Sequence, residues 1–74
     1  MENYEDFKET IHETITDIVF EMMDDETEID IDKAYETIQS LIDKFCNETG
    51  KTPLDLFGEK ELRVLRTTGR LNLN

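Results

Sequence analysis

The chain is predicted to be a mainly α protein of one domain over residues 1–74. Three observations carry that prediction. Apolar residues recur at steps of three and four over two long stretches, the pattern of helices with one buried stripe. Residues suited to start and stop helices stand at the ends of those stretches. The only β-like signals are two five-residue segments that alternate in polarity, so a small α+β arrangement is the variant to test against.

The first helix is expected over about 3–24, with Tyr4, Phe7, Ile11, Ile15, Ile18, Val19 and Met22 on one stripe. Asn3 can cap it, and Glu5 and Asp6 suit the positive end of the helix dipole. Asp24, Asp25 and Glu26 place negative charge at the opposite, unfavourable end, so the helix should stop there. Glu28 to Asp32 alternates with a period of two and could be a short strand or an extended lead-in. The second helix is expected over about 32–47, capped by Asp30 or Asp32, with Ala34, Tyr35, Ile38, Leu41, Ile42 and Phe45 facing inward. Thr52 followed by Pro53 is a cap and first-position pair for a short third helix over about 53–58, which Gly58 can close in the left-handed conformation.

The last sixteen residues read two ways. Leu62 with Leu65 fits a helix, whereas Leu62, Val64, Thr67-Thr68-Gly69, Leu71 and Leu73 fit a hairpin. The expectation is a helix followed by a tail strand. Arg70 to Asn74 alternates as Glu28 to Asp32 does, so the two segments could pair, with Arg70 near the acids.

A chain of this length rarely gains more than about 3–5 kcal/mol from one core, so an added support is expected. Cys46 is the only cysteine and no Cys/His cluster suggests zinc, which leaves self-association. Phe20, Met22 and Met23 widen the apolar surface of the first helix beyond one stripe, and a homodimer could bury them across a two-fold axis. Met1 runs into Glu2, Glu5 and Asp6, the reverse of a signal peptide's basic start, and no apolar run is long enough to span a bilayer. The expected compartment is the cytoplasm.

The formal net charge is -11, with sixteen acidic and three basic residues in 1–50 against three acidic and five basic in 51–74. Such a charge disfavours direct binding to nucleic acid or anionic membrane and favours a basic partner. It can also signal disorder, but the regular apolar spacing speaks against that.

The feature that points furthest is the row Glu5, Glu9, Glu13, Asp17 and Glu21, five carboxylates at four-residue spacing. Like charges at that spacing destabilise a helix by roughly 0.2–0.5 kcal/mol per pair, and a merely soluble face would mix in more cations than Lys8. Four helical residues advance about 6 Å, close to the separation of successive phosphates on one DNA strand. Asp24, Asp25, Glu26, Glu28, Asp30 and Asp32 would extend the same field. In composition the chain is similar to small acidic decoy proteins of phages and mobile elements. The resemblance implies an inhibitor that occupies a basic nucleic-acid-binding protein.

Two alternatives come from other classes. The chain could be a regulatory or adaptor subunit that binds through an apolar helix face, its acids only keeping it in solution. It could also be a cation-responsive module, although the acidic stretch 24–32 lacks the glycine and the spacing of an EF-hand loop. Enzymatic activity and a cofactor are not expected. His12 is the only histidine and has no nucleophile motif around it, Cys46 reads as a small buried hydrophobe, and Gly50-Lys51-Thr52 lacks the upstream glycine of a phosphate loop. Arg63, Arg66 and Arg70 form a basic strip if their segment is helical, expected to pair with acids of the same chain or of a second subunit.

Overall fold

The computed structural model describes residues 3–24 and 28–73. They form four helices, α1 Tyr4–Met23, α2 Ile31–Thr49, α3 Pro53–Phe57 and α4 Glu59–Arg66, with no strand among the described residues.

α1 starts where Asn3 Oδ1 accepts the Asp6 N–H at 2.8 Å, covering one of the donors a helix start leaves open. α2 starts under Asp30, whose carboxylate accepts the N–H groups of Asp32 and Lys33 at 3.1 and 3.3 Å. That cap draws Ile31 and Asp32 into the helix, so the alternating segment does not become a strand. α2 ends at Gly50, whose φ of 71° lets its N–H reach back to the Cys46 carbonyl at 2.9 Å.

α3 and α4 meet at a single residue. Gly58 combines φ 83° with ψ 169°, a backbone region essentially reserved for glycine, and its carbonyl accepts the Leu62 N–H at 3.1 Å. The positive φ agrees with the sequence expectation, but the extended ψ sends the chain straight into α4 instead of closing α3 in a left-handed cap. α4 replaces the alternative hairpin because Thr67 and Thr68 finish a helix: their hydroxyls donate to the Val64 and Leu65 carbonyls at 2.6 and 2.8 Å. Arg63 and Arg66 in the last turn suit its negative end.

The tail beyond Gly69 is not a strand either, yet it is held. The Gln39 side-chain amide accepts the Asn72 N–H at 2.7 Å and donates to the Asn72 carbonyl at 3.1 Å, imitating one rung of a sheet ladder. Leu73 is thereby lowered into the core. The expected meeting of Arg70 with the acids occurs through side chains alone: its guanidinium donates to Asp32 Oδ1 at 2.8 Å and lies 5.0 Å from the Tyr35 ring centre.

The core is made by Ile11 and Ile15 of α1, Ile38, Ile42 and Phe45 of α2, Leu56 and Phe57 of α3, Leu62 of α4 and Leu73. Phe45 is fully buried, with the Tyr4 and Phe7 rings 6.0 and 6.2 Å away, an arrangement worth about 0.5–1.5 kcal/mol per aromatic pair beyond burial. α1 and α2 lie side by side with α3 touching both, which leaves the outer face of α1 to solvent.

Candidate interaction surface

All five row residues, Glu5, Glu9, Glu13, Asp17 and Glu21, are exposed on α1. None forms an ion pair among the described residues. Lys8, the cation within the stretch, is half-buried.

The row is not straight. A step of four residues overshoots one 3.6-residue turn by about 40°, so five carboxylates sweep roughly 160° around the helix. The structure shows both ends of that sweep. Glu5 and Glu9 border an open depression of about 340 Å³ with Lys8, His12 and Leu56 of α3. Glu21 borders another, of about 320 Å³, on the α2 side with Ile18, Ile29 and Lys33. Glu13 in the middle faces away from the core, so the centre of the row is the part a single partner would meet squarely.

Asp24 is exposed and caps α1, its N–H donating to the Glu21 carbonyl at 3.2 Å. Glu28 is exposed beside the Glu21 depression. Asp25 and Glu26 lie outside the described residues. Asp30 and Asp32 are committed elsewhere, to the α2 cap and to Arg70.

Two large apolar residues interrupt the acidic face. Phe20 and Met23 are 65% and 72% exposed at the end of α1, while Met22 packs against the core. Phe20 falls in angle between Glu9 and Glu13, within about 20° of each on a regular helix. Asp17, three residues before it, is an exposed acidic neighbour on the same side.

Other chemistry-bearing residues have structural occupations. His12 Nε2 donates to Glu61 Oε2 at 2.9 Å, tying α1 to α4, with its ring 6.0 Å from that of Phe57. Burial raises the Cys46 thiol above its ordinary pKa, and the nearby Asp43 and Asp55 carboxylates raise it further, which keeps the thiol protonated and unreactive at neutral pH. Among the described residues no three His, Cys, Asp or Glu side chains converge on a metal position. An open depression of about 660 Å³ between the start of α1 and the end of α2 is lined by Asn3, Tyr4, Phe7, Glu48, Thr49 and Lys51. One of its two hydroxyls, Thr49 Oγ1, donates to the Phe45 carbonyl at 2.6 Å.

Of the arginines expected to pair within the chain or with a second subunit, Arg70 meets Asp32, while neither Arg63 nor Arg66 forms an ion pair among the described residues. Arg63 and Arg66 line an open groove of about 270 Å³ between α3 and α4, with Leu54, Leu62 and Glu59. Sequence reasoning overlooked this groove, whose only signal was an apolar Leu54 on the outward side of so short a helix. No helix among the described residues is long and apolar enough to cross a membrane. No protein-family model matches the chain, and neither the curated proteins nor the solved structures searched yield a match.

Proposed function

We propose that the chain is a small acidic interaction protein of the phage or mobile-element decoy type. In this reading it inhibits a basic nucleic-acid-binding protein in the cytoplasm, its α1 carboxylates standing in for a phosphate row. The observation that carries the reading is the exposed row Glu5, Glu9, Glu13, Asp17 and Glu21, which no cation of the described chain neutralises. Such a row carries a like-charge cost along its own helix, and a cationic partner would convert that cost into attraction. Asp24 and Glu28 continue the field past the end of α1, and Asp25 and Glu26 would add to it. Charge of this kind mainly supplies fast association and an affinity that falls as salt rises.

A second reading, a regulatory or adaptor subunit that docks through an apolar helix face, is favoured by the exposure of Phe20 and Met23. Salt separates the two. Capture of basic nucleic-acid-binding proteins at low salt, released by duplex DNA and abolished by Glu9→Gln/Glu13→Gln/Asp17→Asn, is the expected result for the decoy. Partners that hold on to that variant and resist both DNA and salt would discard the decoy in favour of the adaptor.

A further inference from the structure

The exposed apolar residues of α1 and the groove between α3 and α4 carry opposite charge. Phe20 and Met23 are exposed at the end of α1, with the exposed Asp17 one turn before Phe20. The groove has an apolar floor of Leu54, 46% exposed, and Leu62, and a rim of Arg63 and Arg66 with one acid, Glu59. At about 270 Å³ the groove lies below the size of ordinary small-molecule pockets, roughly 300–1,000 Å³, and suits one or two side chains.

We propose that a second copy of the chain supplies them: the tip of α1, Phe20 with Met23, seats in the α3–α4 groove of another copy, with Asp17, one turn before Phe20, facing Arg63 and Arg66. The charges choose this contact over the symmetrical one. Packing Phe20 and Met23 of two copies against each other would bring Asp17 of both together, a like-charge arrangement that disfavours association. Docking in the groove replaces that repulsion by attraction and covers Phe20, Met23 and Leu54. The contact joins unlike patches, so each copy has one donor tip and one receiving groove, and association is head to tail.

The contact shares Asp17 with the decoy row but not Glu13 and Glu9, which lie about two and three turns before Phe20 on α1. The test uses two variants at exposed positions, Phe20→Ser/Met23→Ser without the tip and Arg63→Gln/Arg66→Gln without the rim. Circular dichroism verifies that both keep the wild-type helicity, and sedimentation equilibrium gives the mass. The wild-type mass is expected to rise above the 8.7 kDa of one chain with concentration and to fall back with added salt. Each variant alone should remain at one chain mass, and an equimolar mixture should form a pair of twice that mass, since the intact tip of one meets the intact groove of the other. A wild-type chain that stays monomeric up to about 1 mM overturns the proposal. A mixture that stays monomeric also overturns it, as does a rim variant that associates like wild type. Glu9→Gln/Glu13→Gln should associate as wild type does, so loss of decoy activity and loss of self-association are read separately.

Discussion

Asp55 shows how much one side chain settles in so small a fold. Its carboxylate accepts the Thr52 N–H and the Thr52 hydroxyl, both at 3.1 Å, fixing the turn that launches α3 and places Leu56 and Phe57 in the core. The backbone hydrogen bond, then the hydroxyl, then Lys51 and Lys8 at longer range hold its pKa below the ordinary aspartate value. Folding therefore favours the ionised form. The resulting stabilisation is complete above the unfolded aspartate range, near about pH 4, and is lost as pH falls through the lowered folded value. Asp55→Asn should accordingly lower the thermal midpoint at neutral pH, with the gap to wild type closing under acid. A gap that stays constant in thermal melts from about pH 7 down to about pH 2.5 would show that the ionised carboxylate contributes nothing to the fold.

At the scale of the helix, α1 is shaped by two periods that disagree. Its core residues follow steps of three and four, which average close to the 3.6-residue turn and stay on one side, while the carboxylates follow a strict four and drift across the other. Glu13 has a like-charged neighbour four residues away on each side. Its change to Gln should stabilise the protein by about 0.4–1 kcal/mol, two pairs at roughly 0.2–0.5 each, as read from urea denaturation. A Glu13→Gln chain that is less stable than wild type would mean that the row makes a favourable contact within the fold.

The elements legible in the sequence were those fixed by local chemistry. The apolar steps and the Asn3 cap located α1, and Thr52-Pro53 located α3, because those signals act within one turn. The end of the chain was ambiguous because its conformation depends on partners far away in sequence. Gln39, 33 residues from Asn72, decides where the tail runs, and no local pattern announces a glutamine amide as a substitute for a strand. Glu28 to Asp32 misled for the complementary reason, since alternation over five residues is weaker than the aspartate cap that starts α2 one residue beyond it. Within the candidate site the identities of the carboxylates were legible and their lateral drift follows from helix geometry. The groove receiving Arg63 and Arg66 was not legible, because the Gly58 junction that sets α3 against α4 is a backbone angle that letters do not specify.

For the molecule as a whole, eleven net negative charges on 74 residues repel one another most strongly in the folded state. The one ion pair between formal charges among the described residues, Arg70–Asp32, is largely exposed and offsets little of that repulsion. Raising sodium chloride from about 0.01 M to about 0.15 M shortens the screening length from roughly 30 to 8 Å and should raise the thermal midpoint. Each kcal/mol of repulsion removed corresponds to about 4–8 °C for a domain of this size. A midpoint that falls with salt instead would show that attraction between charges outweighs repulsion in the native chain.

The drift of the carboxylates around α1 also gives the row a handedness. Four-residue steps on a right-handed helix trace a right-handed spiral of about 54 Å pitch, nine steps of about 6 Å each. A strand of duplex DNA climbs in the same sense with a pitch of about 34–36 Å. Carboxylates set at every third residue would wind the opposite way, away from the path of a phosphate strand. Two chains of equal charge would then present tracks of opposite hand, and a cleft shaped for DNA would distinguish them by chirality.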